Sequence, residues 1–311
     1  MINSQPQITC FGEVLWDIFP EGKKAGGAPF NVTYQLKKLG MDTTIISRTG
    51  RDELGAELLG LVKSWQIPVN NCQTDDTFST GTVLATIDEH NEAHYDIVAN
   101  VAWDHIAVTG EAIATVRSAS AFVFGTLAAR SETSRSTLYR LLEEARYKVF
   151  DVNLRPPHYS EAVLTHLLNH TDLIKLNKAE LRGILDMFDE PYTTEEAGIR
   201  FIEQNFGIRE AILTKGSKGA LYYGNGMFHF CPAIPVTIQD TVGSGDSFLA
   251  AFLASRLCGE SVEETLFNAA AMGAFITTQS GACPDYTLTD FLAFRQQMRP
   301  AFLERKTAPA A

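Results

Sequence analysis

Apolar residues along this chain recur with two periods. Runs of about strand length, rich in β-branched and aromatic residues, occur at 8–12 (ITCFG), 43–50 (TTIISRTG), 120–125 (SAFVFG), 148–153 (KVFDVN), 172–177 (DLIKLN) and 211–214 (AILT). Segments 31–39, 52–65, 134–145, 160–170 and 193–205 instead space their apolar residues as an amphipathic helix does. Strand and helix alternate, which predicts an α/β fold with a mostly parallel central sheet flanked by helices on both faces. A ligand site is then expected beyond the carboxyl ends of the strands.

Two stretches depart from this rhythm. VLWDIF at 14–19 and GTVLATIDEHNEAHYDIV at 81–98 alternate with period two, and DEHNE reads as a hairpin turn. They predict a small β-sheet lid, formed by segments about 13–30 and 80–105, on a single domain spanning 1–311, with 300–311 a frayed tail.

Composition narrows the partners. With 45% apolar residues the chain can bury a core, and a formal charge of -11 argues against a nucleic-acid groove or a polybasic membrane patch. No run reaches the roughly 18 apolar residues of a membrane span. The opening MINSQPQITCFGE has neither a basic nor an apolar leader region, and the cysteines at 10, 72, 231, 258 and 283 are odd in number and unpaired in pattern. A cytoplasmic protein acting on small molecules is expected.

The densest chemistry lies in DTVGSGDSF at 240–248, ahead of the apolar run LAAFLASRL. Two glycines around Ser244 leave the amides of Gly243, Ser244 and Gly245 uncovered at a helix N-terminus, an arrangement that suits an anion. Asp246 at its mouth either caps the helix or accepts a proton from a hydroxyl attacking a bound phosphoryl group. The helix N-terminus would keep that carboxylate ionised. No P-loop motif is present, and Phe248 stands where a dinucleotide fingerprint needs its third glycine. His90 and His94 have the spacing of helical zinc ligands but fall in the expected hairpin, where a solvated turn is the simpler reading.

DTVGSGDSF resembles the C-terminal signature of the ribokinase-like (PfkB) carbohydrate kinase family, and AGGAPFNVTYQLKKLG at 25–40 resembles its N-terminal glycine-rich signature. GEVLWD at 12–17, DVNLRP at 151–156, NKAE at 177–180 and TKGSKG at 214–219 extend the match, most closely to the fructokinase branch. The resemblance implies a kinase with Asp246 as general base and Gly243, Ser244 and Gly245 as the anion hole. It implies that Asp17, Gly26, Gly27, Asn31, Asn153 and Arg155 bind the sugar, and that Asn177, Thr214, Gly216, Gly219 and Asn268 shape the nucleotide site. Glu180 would hold Mg²⁺ through water, and Asp240, Val242, Gly281 and Asp285 occupy the places that in many relatives hold K⁺. ATP and Mg²⁺ are the expected cofactors, with K⁺ an option, and fructose the expected acceptor. A 2-keto-3-deoxygluconate kinase, a ribokinase-type kinase and a non-catalytic sugar- or nucleotide-binding regulator remain open. Free edges of the lid sheet would allow two copies to pair.

Overall fold

The protein is described by a computed structural model covering residues 5–20, 22–87 and 93–307. Its strands are β1 (Gln7–Phe11), β2 (Leu15–Phe19), β3 (Gly22–Gly26), β4 (Asp42–Gly50), β5 (Cys72–Asp75), β6 (Gly81–Ile87), β7 (Ala93–Ile97), β8 (Ala121–Gly125), β9 (Lys148–Asp151), β10 (Leu173–Asn177), β11 (Glu210–Thr214), β12 (Ala220–Gly224) and β13 (Met227–Cys231). The helices are α1 (Ala28–Lys38), α2 (Glu53–Ser64), α3 (Gly110–Ser118), α4 (Glu132–Leu142), α5 (Glu161–Asn169), α6 (Lys178–Met187), α7 (Glu195–Phe206), α8 (Ser244–Leu257), α9 (Val262–Thr277) and α10 (Leu288–Thr307).

Nine strands form one sheet in the order β13-β12-β11-β10-β9-β8-β1-β4-β5. All pairings from β11 to β5 are parallel, while β12 and β13 add an antiparallel edge. Because side chains alternate across a strand, each inner strand feeds two cores. Ile8, Cys10 and Val149 pack with Phe30, Leu58, Leu249, Met272 and Phe291 under α1, α2, α8, α9 and α10. Phe11, Phe150 and Ile174 pack with Val116, Leu138, Leu167, Ile184 and Ile202 under α3 to α7. This is the three-layer fold that the alternating pattern predicts.

The second sheet has the order β3-β2-β6-β7 and adjoins the carboxyl ends of β1, which leads into β2, and of β4, where the Gly50 amide donates to the Thr80 hydroxyl just before β6. Its two halves come from distant parts of the chain, joined by the parallel β2–β6 pairing. Leu15 and Trp16 are buried where the lid meets the body, and the Trp16 indole donates to the Leu54 carbonyl at 3.0 Å. The hairpin turn expected at 88–92, with His90, lies outside the described residues. Helix α10 runs to Thr307, so the expected frayed tail is helical through 307, and 308–311 lie outside the described residues. Among the described residues, no helix is long and apolar enough to cross a membrane.

Candidate active site

Several strands and helices end at one cleft between body and lid. Helix α8 starts there because Gly243 adopts φ 75°, a left-handed conformation open to glycine, and turns the chain into the helix. A Cβ on Gly243 would lie 2.4 Å from the Ala282 Cβ, so the turn also packs too tightly for any other residue. The Gly243 carbonyl accepts from the Ser247 hydroxyl at 2.7 Å, which pins the first turn. Amides in that turn have no intrahelical acceptor and face the cleft end of the helix. The three expected anion-hole amides are not equivalent, since Ser244 N–H donates to the Thr241 carbonyl at 3.3 Å.

Asp246 sits in this first turn. Its Oδ2 accepts from the Asn31 amide at 2.8 Å, and the Asn31 Oδ1 accepts from the Cys283 thiol at 3.5 Å. Burial pushes the Asp246 carboxyl up to about 6; Lys175 pulls it back, Asp151 raises it, and Asn31 and Arg155 lower it. Burial is the largest influence on this carboxyl. At neutral pH the group is still ionised.

On the lid side, Asp17 lies on β2 opposite Lys24 of β3. Burial raises its carboxyl to about 6, while Arg155 and Lys24 pull it down. Gly26 lies against it, since a Cβ there would be 2.5 Å from the Asp17 Oδ2. Gly27 leads into α1, where the Ala28 amide donates to Glu13 Oε1 at 3.2 Å. Glu13 is 2% exposed, and its other oxygen has no partner. Burial raises its carboxyl to about 7, against its backbone hydrogen bonds, with nearby Asp246 adding to the rise and Arg155 opposing it. Asn153 (φ 37°) turns the chain after β9 and leaves Arg155 exposed, within electrostatic reach of Asp17, Glu13 and Asp246.

On the other side of Asp246 lies a cavity of about 540 Å³ lined by Thr214, Gly216 and Gly219, by Val236 and Ile238, and by Ser244 and Gly245. Its wall from α9 is made of the small residues Ala270, Gly273 and Ala274. Ile238 is 64% exposed, an apolar side chain at the rim of a concave site that a flat ring could cover.

The pfkB family carbohydrate kinase profile matches residues 7–288. The chain belongs to that family. The kinase is 27% identical over 296 residues to the fructokinase of Salmonella typhimurium, covering 89% of this chain and 94% of that one. It is 28% identical over 297 residues to the fructokinase of Klebsiella pneumoniae, with the same coverage. Among solved structures, fructokinase with bound ATP from Xylella fastidiosa superposes with TM-score 0.83 at 20% identity, over 95% of this chain and 100% of that one. Aminoimidazole riboside kinase from Salmonella enterica superposes with TM-score 0.79 at 20% identity, over 93% and 99%. These likenesses establish the ribokinase-like fold, and the family makes the protein a sugar phosphotransferase.

The kinase's expected site residues converge with several corrections. Asp17, Gly26, Gly27, Arg155 and Asp246 surround one cleft, and Thr214, Gly216 and Gly219 line the adjoining cavity. Asn31 is 5% exposed, its amide nitrogen donating to Asp246 and its oxygen accepting from the Cys283 thiol, so it orients the carboxylate and keeps one N–H and one lone pair for a further partner. Asn268 donates its amide to Ser255 at 2.9 Å, joining α9 to α8, and is not among the residues that line the cavity. Asn177 and Glu180 form a reciprocal cap on α6, each side chain accepting from the other's backbone amide. Asp240 accepts from Val242 and Gly281 amides at 3.0 and 2.9 Å, and Lys24 Nζ stands 3.7 Å from it. Asp285 does not join that set, because its fully exposed side chain pairs with Lys38 at 3.1 Å. Two buried site residues, Glu13 and Lys175, escaped the sequence reading. Both are charged residues inside apolar runs, GEVLW and LIKLN, the same signal that singled out Asp17.

Proposed function

We propose that this kinase transfers the γ-phosphoryl group of ATP to a primary hydroxyl of D-fructose, giving fructose 6-phosphate, with Asp246 as general base. The observation that carries the reading is the position of Asp246, between the cavity bounded by Thr214, Gly219 and Gly245 and the cleft bounded by Asp17 and Arg155. A nucleotide in the first would direct its terminal phosphate at the α8 N-terminus, and a sugar in the second would present a hydroxyl to the carboxylate. Asn31 holds the carboxylate in place, and Asp246 accepts the proton as the new P–O bond forms. The Gly243–Gly245 turn donates to the transferring group's oxygens. Closure of the lid would exclude water and limit ATP hydrolysis.

Glu180 fits a water-mediated contact to Mg²⁺. Its two oxygens hold the Asn177 and Leu154 amides at 2.7 and 3.3 Å, which leaves lone pairs for a metal-bound water. Bound there, Mg²⁺ would neutralise charge between the β and γ phosphates. Of the four residues expected to hold K⁺, Asp240, Val242 and Gly281 lie together while Asp285 pairs with Lys38 instead, and no step is assigned to that ion.

Fructose is supported by the fructokinases among the relatives and by the fructokinase of Vibrio cholerae solved with fructose and ADP, a fold-level likeness at 22% identity. The acids Glu13, Asp17 and Asp246 also favour a neutral polyol over the carboxylate of a keto acid, although Arg155 could pair with one. ADP release across fructose, ribose, 2-keto-3-deoxygluconate, glucose and nucleosides tests this. Fructose should give the highest kcat/KM, and Asp246→Asn should lower kcat by about 10²–10⁴. Preference for another acceptor overturns the substrate, and an undiminished variant overturns the base. The free outer edges of the lid, β3 and β7, are the basis for proposing a homodimer, checked by light scattering. The five cysteines, all unbridged, are consistent with the proposed cytoplasmic location.

A further inference from the structure

Asp151, the last residue of β9, is directly opposed to Lys175 at the middle of β10. Strand alternation turns both toward the face covered by α8, since Phe150, Ile174 and Leu176 point into the other core. The Lys175 ammonium donates to both Asp151 oxygens at 2.9 Å, with the two side chains 10% and 4% exposed. It also underlies the anion turn: a Cβ on Gly245 would lie 3.1 Å from Nζ and 3.6 Å from Cε. The absent side chain at 245 is what lets the amine reach the first turn of α8.

We propose that Lys175 is a positioning residue for phosphoryl transfer, a fixed cation beneath the α8 N-terminus that keeps Asp246 in its proton-accepting form and offsets the charge of the incoming phosphoryl group. The inference rests on Asp246 being the base. Two arguments support it beyond geometry. A buried ion pair is weak evidence for stability, because apolar residues of similar volume usually serve a fold as well, so this pair has a reason other than packing. The pair is also surrounded by acids. Burial works against the ammonium, yet Asp151, Asp246 and Glu180 together raise its pKa. Lys175 is thus shared by three carboxylates at the place where a polyanion must approach, and it is immobilised by one of them so that it can serve the others.

The groups acting on Asp246 come from every element around it: Lys175 from β10, Asp151 from β9, Arg155 from the loop after it, Glu13 from the segment after β1, Asn31 from α1 and Cys283 from the loop before α10. Lys175 and Arg155 are the cations of this set. Removing Lys175 leaves Asp151 and Asp246 to repel one another across a poorly solvated gap.

The test uses Lys175→Met and the double variant Asp151→Asn/Lys175→Met, which removes both charges of the ion pair and keeps the question open if the single variant does not fold. Carboxyl ¹³C titration of the ligand-free protein, labelled at aspartate, should show the Asp246 midpoint raised by about one pH unit or more in Lys175→Met. In both variants kcat should fall by about 100-fold or more with KM for the sugar changed far less. The acid limb of kcat/KM should move up with the midpoint in Lys175→Met. A folded double variant with wild-type kcat, or a Lys175→Met protein whose Asp246 midpoint is unmoved, overturns the inference. The ligand-free titration does not depend on turnover, so its result stands apart from the separate failure in which Asp246→Asn retains activity.

Discussion

As the proposed base, Asp246 would work only when ionised, and burial raises its carboxyl to about 6. The sign follows directly. Protonation removes the acceptor, so kcat/KM should rise with pH through about 6 and then level off, as measured by ADP release in a pH series. Gly243 makes a second prediction at this scale. Gly243→Ala combines φ 75° with a Cβ 2.4 Å from that of Ala282, so the turn and the 282 loop must part. We expect kcat to fall by about 10²–10³, together with a clear loss of melting temperature from the strained φ and the contact with Ala282. Asp246 and the glycines around it were legible in the sequence because a short contiguous motif carries them. Glu13 and Lys175 were not singled out, because each owes its role to partners distant in the chain: Ala28 and Asp246 for one, Asp151 and Gly245 for the other. The placement of Asn268 has the same cause, since only packing decides that its amide meets Ser255.

Among the elements, α6 carries the glutamate that caps it and that is proposed to hold Mg²⁺ through water. Glu180 completes the reciprocal cap with Asn177 and also stands near Lys175 and Asp151. Burial and Asp151 raise its carboxyl while Lys175 and the two amides lower it, giving a net rise. Glutamine serves a capping box as well as glutamate does but carries no charge. Its single oxygen can keep the Asn177 amide but not the Leu154 amide as well, so Glu180→Gln should lower the melting temperature only modestly while raising the Mg²⁺ concentration needed for half-maximal turnover several-fold. A fall in stability with an unaltered Mg²⁺ requirement would assign the residue to capping alone. Asn177→Ala should cost about 1 kcal/mol through the lost cap. The parallel strands and the main helices were readable because their periodicity is long and strong. The edge hairpin β12–β13 was passed over although ALYYGNGMFHF contains the signal: Asn225 and Gly226 take φ 52° and 75°, the paired left-handed residues of a two-residue hairpin turn. Strand β5, four residues with little apolar content, left no comparable mark.

At the scale of the whole molecule, the acids assembled at the cleft act against the fold at the pH where they are useful. Glu13, Asp17 and Asp246 are raised to about 7, 6 and 6 from ordinary values of 4.5, 3.8 and 3.8, each chiefly by burial. The folded protein thus holds these protons more tightly than the unfolded chain. Their contribution to stability is complete below the unfolded values and is lost as pH rises through about 6 to 7. Asp52 and Asp75 behave oppositely. Burial opposes their ionisation, but the Thr80 and Gly55 contacts of Asp52, and the Phe78 and Thr77 amides with Arg48 for Asp75, lower both carboxyls. The stability they give is present above the unfolded value of 3.8 and is lost as pH falls below it. Between the two groups, the ligand-free kinase should melt highest near pH 5 and lose stability toward pH 8, about where catalysis needs Asp246 ionised. Calorimetric melting across that range checks the curve. The triple variant Glu13→Gln/Asp17→Asn/Asp246→Asn should flatten its alkaline side while leaving the acid side in place. An alkaline fall as steep in the triple variant as in the parent would show that the cost lies elsewhere in the molecule and that these three carboxyls are better accommodated when charged than their burial implies.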